Sequence, residues 1–196
     1  NLTDTIPSEL GNLTQLTNLN LSNNNLTGTI PSELGNLSNL ESLYLSNNQL
    51  TGTIPITLGS LNKLKVLKLS ENELTGTIPA ALGNLLKLTE LDLNNNFFTG
   101  CFPAEFSNLR KLSHLDLSYN FLTREINANF IELVNLCVDG QPEYRCQGGL
   151  TTDLGYNCLN VPQPNPPSDF LYEKDPDWDQ TQCKMDQFIY FPAVMN

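Results

Sequence analysis

Residues 13–36 read LTQLTNLNLSNNNLTGTIPSELGN, and this 24-residue stretch decides the fold. It is followed by four further copies, so five full units span 13–132, a partial copy precedes them at 1–12, and a sixth begins at Leu133. Leu13, Leu37, Leu61, Leu85, Leu109 and Leu133 keep the interval, and the unit condenses to LxxLxxLxLxxNxLTGxIPxxLGxx. A fixed period of this length is the signature of a solenoid, in which each unit buries its apolar face only against its neighbours.

Each position of the unit has a physical task. LxLxxN, with Leu19 and Leu21 two apart, predicts a short strand whose leucines point into the coil while Asn20 points out. One strand per unit in a constant direction predicts a parallel sheet with strands about 4.8 Å apart. Asn24, Asn48, Asn72, Asn96 and Asn120 form a column whose amides can bond backbone exposed where the chain turns. Pro31, Pro55, Pro79 and Pro103 suit entry into a short helix or 3-10 segment. Leu34, Leu58, Leu82, Phe106 and Phe130 close the core from the far side.

This is the leucine-rich-repeat pattern. The LTGxIPxxLGxL half resembles the plant-specific subclass found in receptor-kinase ectodomains and polygalacturonase-inhibiting proteins, over residues 1–136. The resemblance implies an α/β fold: a right-handed solenoid with a concave parallel sheet, short helical or 3-10 segments on the convex side, and a smaller flanking sheet built from the xGxIP segments. The paired-cysteine N-terminal cap of that subclass is absent, and the chain opens inside a repeat, so a preceding segment is expected.

The second part, 137–196, is of another kind. LGYNCL at 154–159 matches LSYNFL at 117–122 with an offset of 37, which predicts a degenerate sixth repeat carrying an insertion of about 13 residues near 137–149. A proline-rich bridge, PQPNPP at 162–167, and a terminal segment then close the exposed end of the core. This end is similar to secreted bacterial leucine-rich-repeat proteins. Four of the five cysteines, Cys137, Cys146, Cys158 and Cys183, fall here, which predicts a disulfide-stabilised cap and an oxidising compartment, with three pairings open. Cys101 stands where the repeat has Thr.

Ten Lys and Arg face 21 Asp and Glu, a net charge of −11, which argues against nucleic acid and anionic membrane as partners. Residues 139–196 carry nine of the acids and three of the bases, so acid is densest in the cap. No apolar run reaches the roughly 20 residues of a membrane span. A single histidine gives a zinc site poor raw material, and no metal or cofactor is expected.

Function is sought on surfaces. The outward strand columns vary while the scaffold columns do not, the pattern of a binding face. The candidate contact residues are Asn20, Tyr44, Lys68, Glu90, Asp92, His114, Asp116 and Tyr119. The expectation is a secreted, monomeric, non-catalytic module that binds an extracellular protein or polysaccharide through this sheet. One alternative, from the resemblance, is inhibition of a cell-wall glycosidase. Another is ice binding through Thr27, Thr29, Thr51, Thr53, Thr75 and Thr77, since Thr-x-Thr rows on parallel sheets resemble the ice-contact faces of β-solenoid ice-binding proteins. Glu90, Asp92, His114 and Asp116 have acid/base chemistry, but no nucleophile stands beside a base and an open sheet excludes water poorly, so an enzyme is not expected. N-L-[ST] triplets make Asn12, Asn25 and Asn36 candidate glycosylation sites, with Asn1 and Asn20 also in that frame. Lys63, Lys87 and Lys111 form a basic column beside Arg110.

Overall fold

The structure is a computed structural model; it describes residues 1–100, 103–122 and the backbone of 152–153. Each coil runs from a short concave strand through a flanking strand into a 3-10 segment and back. The concave strands are β2 (Asn18–Asn20), β4 (Ser42–Tyr44), β6 (Val66–Lys68), β8 (Glu90–Asp92), β10 (His114–Asp116) and β12 (Thr152–Asp153). They form one parallel sheet in sequence order. From β2 to β10 the register advances by 24 residues per strand, as in Leu43 beside Leu67. From β10 to β12 it jumps to 37, Leu115 beside Thr152, the same offset that relates LGYNCL to LSYNFL.

The flanking strands are β1 (Thr3–Thr5), β3 (Asn25–Thr27), β5 (Thr51–Gly52), β7 (Glu73–Thr77), β9 (Phe97–Gly100) and β11 (Phe121–Leu122). They pair in order, with a single bridge, Thr29 to Thr51, joining the β1–β3 pair to the rest. Among the described residues the convex side carries five 3-10 segments, Ser8–Asn12, Ser32–Asn36, Ile56–Ser60, Ala80–Asn84 and Ala104–Asn108. Each is preceded by an extended proline, whose fixed φ leads the chain into the turn. Three residues per turn fit here because each segment is only five long.

The core is a stack of leucine layers. Leu43, Leu67, Leu91 and Leu115 from the strands meet Leu58, Leu82 and Phe106 from the convex side, all fully buried. Full burial of such a side chain is worth about 1.5–3 kcal/mol, so the stack dominates stability. The asparagine column seals its edge. The Asn72 amide donates to the carbonyls of Leu45, Leu69 and Ser70, and its oxygen accepts from the Leu50 amide. Asn48, Asn96 and Asn120 repeat that geometry. Coil spacing on the convex side is set by close backbone contact: a Cβ on Gly59 would stand 2.4 Å from the Ala81 carbonyl oxygen.

Candidate functional site

The concave strands carry two outward rows. One is Asn18, Ser42, Val66, Glu90 and His114; the other is Asn20, Tyr44, Lys68, Asp92 and Asp116, each residue beside the next across the sheet. Seven of the eight predicted contact residues therefore share one face.

The second row divides by local hydrogen bonding. The side-chain oxygens of Asn20, Asp92 and Asp116 each accept from the backbone amide two residues on, at Ser22, Asn94 and Ser118. That is a turn-capping role, which a short side chain with an acceptor oxygen fits, Asn and Asp best. Tyr44 and Lys68 occupy the same repeat position and cannot cap, so their side chains serve no turn. A polar network extends the caps: Ser70 donates to Asp92, Asn94 bridges Asp92 and Asp116, and the Ser118 hydroxyl donates to Asp116. Asp92 is half-buried in it. Burial pushes its carboxyl up, with Asp116 adding to the rise, while hydrogen bonds from Ser70 and Asn94 and the nearby His114 work against it.

Lys68 and Glu90 lie diagonally across neighbouring strands and form an ion pair at 2.5 Å, with side chains 31% and 30% exposed. Burial alone would lower the Lys68 ammonium, but the hydrogen bond and charge of Glu90 outweigh it and hold the value above normal. The two carboxylates suggestive of acid/base work are thus committed, Glu90 to Lys68 and Asp92 to its network. Among the described residues no three His, Cys, Asp or Glu side chains come together as a metal set.

Tyr119 lies off this face, at the corner where the concave strand ends. Its column, Asn23, Asn47, Glu71, Asn95 and Tyr119, has φ between 51° and 57° throughout. Asparagine is common there because it tolerates left-handed backbone; Glu71 and Tyr119 do not share that ease. Beside Tyr119, the rings of Phe97 and Phe121 stack at 6.1 Å with 10° between planes, and about half of each residue is exposed. Sequence reasoning passed over this pair. Its signal was available: phenylalanine replaces Asn25, Gln49 and Glu73 at an outward position.

The threonines lie on the flanking ladder, all exposed or half-exposed. Their pairing differs from straight rows of one repeat position. The flanking register advances by 22, not 24, so the second threonine of one unit faces the first of the next: Thr5 beside Thr27, Thr29 beside Thr51, and Thr77 beside Thr99. The result is a staircase of threonine pairs. The second threonine also has scaffold work. A Cβ built on Gly52, at φ 75°, would lie 2.9 Å from the Thr29 methyl carbon, and Thr53 and Thr77 seat against Gly76 and Gly100 in the same way. Asn12, Asn25 and Asn36, the sequon asparagines, are exposed. Cys101, Cys137, Cys146, Cys158 and Cys183 lie outside the described residues, as does the predicted 137–196 segment apart from the backbone of 152–153.

Two parallel ladders and a 3-10 face on a 24-residue coil define a plant-type leucine-rich-repeat solenoid. The family described as a leucine-rich repeat region matches residues 2–138, and the chain belongs to the leucine-rich-repeat family. No curated protein matches it. Among solved structures it is similar to the ectodomain of the plant membrane receptor kinase GASSHO1/SCHENGEN3 from Arabidopsis thaliana, in complex with CASPARIAN STRIP INTEGRITY FACTOR 2. The identity is 35% over 82% of this chain and 18% of that one, with a TM-score of 0.74. It is also similar to the plant peptide hormone receptor RGFR1 in complex with RGF2, at 40% identity, 81% and 23% coverage and a TM-score of 0.73. A plant ice-binding protein is 31% identical over 81% of this chain and 55% of its own, with a TM-score of 0.61. The chain spans less than a quarter of either receptor and about half of the ice-binding protein. No helix among the described residues is long and apolar enough to cross a membrane.

Proposed function

We propose that the protein is an exported, monomeric, non-catalytic binding module that holds an extended peptide segment across its concave sheet. The observation that carries this reading is the unequal use of the second concave row. Asn20, Asp92 and Asp116 cap turns, whereas Tyr44 and Lys68 are spent on no turn and stand with Glu90 and His114 on a face fixed by parallel strands. A rigid sheet presenting an aromatic ring, an ion pair and an imidazole is a surface that recognises a partner without first paying to order itself. RGFR1, similar to this chain, is a plant peptide hormone receptor in complex with RGF2, which supports the same use here. The test is to pan a linear-peptide display library against the full chain, then measure enriched peptides against Tyr44→Ala/His114→Ala. Loss of about tenfold in affinity or more is expected; equal binding by the variant would overturn the reading.

A second reading is favoured by the threonine staircase together with the similarity to a plant ice-binding protein. In it, paired hydroxyls and methyls on the flanking ladder order water against ice. Thr27 and Thr75 carry no glycine-seating role, so Thr27→Lys/Thr75→Lys spoils the face at the cost of one intercoil hydrogen bond, from the Thr75 hydroxyl to the Gly52 carbonyl. Thermal hysteresis in the parent that the variant lacks supports this reading, and a parent without hysteresis removes it.

A further inference from the structure

The basic residues of this acidic chain are not scattered. Of the six within 1–122, five lie on one edge: Lys63, Lys65, Lys87, Arg110 and Lys111. They occupy the turns that lead from the convex 3-10 segments into β6, β8 and β10, and all are exposed. Lys63, Lys87 and Lys111 hold the same place in successive units, so the edge carries one cation per coil. Glu41 is the acid among them. Its carboxyl donor is Lys65, at 2.7 Å, and it is held below its usual range first by that hydrogen bond and charge, then by Lys63 and Lys87. The field of the column therefore reaches across two coils. Lys63 donates to the Asn39 amide oxygen at 2.7 Å. Between the last two coils the edge deepens into a shallow groove lined by Gly83, Asn84, Leu86, Asn108, Arg110 and Lys111.

We propose that this edge is a docking strip for a linear acidic polysaccharide with one carboxylate per sugar. A rigid row of cations repeating at coil spacing, about 4.8 Å where coils pair as strands, suits a polymer whose charges also recur at short, regular intervals. The groove adds what a sugar needs beyond charge. The amides of Asn84 and Asn108 can bond hydroxyls, and Leu86, 60% exposed, offers an apolar face to the C–H side of a pyranose. Single-stranded nucleic acid is the poorer fit, because its grooves combine a basic track with aromatic stacking platforms, and none of these edge residues is aromatic. The surface is separate from both faces proposed above, so either can fail without the other.

The experiment measures the full chain on immobilised polygalacturonate at low salt, where surface charges are least screened. Fully methyl-esterified polygalacturonate, poly-glutamate and oligo-dT serve as comparison polymers. The chain is expected to bind polygalacturonate, to lose binding when the carboxylates are esterified, and to favour it over the other two polyanions by about tenfold. Lys63→Gln/Lys87→Gln/Lys111→Gln should weaken binding by about tenfold or more, with thermal unfolding unchanged, while Lys68→Gln on the concave face leaves it as it was. Absence of binding by the parent, equal binding by the triple variant, or equal binding to poly-glutamate or oligo-dT would overturn the proposal.

Discussion

The side-chain amide of Asn72 donates to the carbonyl of Leu45, one coil back, at 3.0 Å, while its oxygen accepts from the Leu50 amide of that same coil. One residue thus satisfies buried backbone on two coils. In Asn72→Ala the carbonyls of Leu45, Leu69 and Ser70 and the Leu50 amide lose this partner together. The three carbonyls keep a second donor, from Asn48, Asn96 and the Asn47 amide, so each lost bond there costs about 0.5–1.5 kcal/mol. The Leu50 amide is left unpaired at about 1–3 kcal/mol, and a total loss of roughly 3–5 kcal/mol is expected by urea unfolding. A loss under about 1 kcal/mol would mean that water or relaxation replaces the side chain.

At Gly59 two effects oppose each other. Local propensity favours alanine in a helical turn by up to about 1 kcal/mol. Against that, the new methyl would meet the Ala81 carbonyl oxygen at 2.4 Å, backbone that cannot swing aside. Overpacking of this kind typically costs about 1–3 kcal/mol and should win. Gly59→Ala is therefore expected to lower the melting temperature; an unchanged or higher value would show that the convex spacing is adjustable.

Asp92 provides a pH test. Its folded carboxyl titrates above its ordinary value of 3.8, because burial disfavours the charge. A raised folded value means the protonated form is the favoured one: the contribution to stability is full below that ordinary value and is lost as pH rises through the folded one. Asp92→Asn keeps one oxygen to accept from Asn94, replaces the oxygen that accepts from Ser70 with an amide NH2, and never ionises. Relative to the parent, the variant should gain stability as pH rises through this window, measured by unfolding at acid and neutral pH. A constant difference across the window would contradict it.

Tyr119 has φ 53°, where Asn23, Asn47 and Asn95 hold the same corner. Tyr119→Asn should stabilise the fold by about 0.5–1 kcal/mol, the relief of left-handed strain in a bulky residue. Destabilisation instead would mean that the ring's packing outweighs its backbone cost.

Much of this was readable from residues alone. Leu43 and Leu67 fall at the same place in the period, and one strand per unit leaves a parallel stack as the natural way to bury both. Asn72 announced itself as an asparagine in a leucine context. The concave rows followed from strand alternation, since Tyr44 and Lys68 flank buried leucines. Other features depend on backbone geometry that no side-chain pattern states. The 22-residue flanking register belongs to chain that crosses a left-handed glycine such as Gly52, so Thr29 meets Thr51 rather than Thr53. The capping role of Asp92 was written as Asp-x-Asn, but the same letters on a strand read equally well as an exposed carboxylate. The stacking of Phe97 on Phe121 required knowing that two outward positions 24 apart come within ring contact.

The Thr29 methyl seated against Gly52 is one of several contacts in which a unit supplies half of a joint and its neighbour the other half. An in-phase duplication of 24 residues would therefore arrive with both halves of every joint: amide and carbonyl, methyl and glycine, proline and turn. The chain can lengthen by copying without any compensating change elsewhere. Once copied, the exposed columns are free to diverge, so the history of such a protein is recorded on its surface, while its interior stays a repetition of one unit.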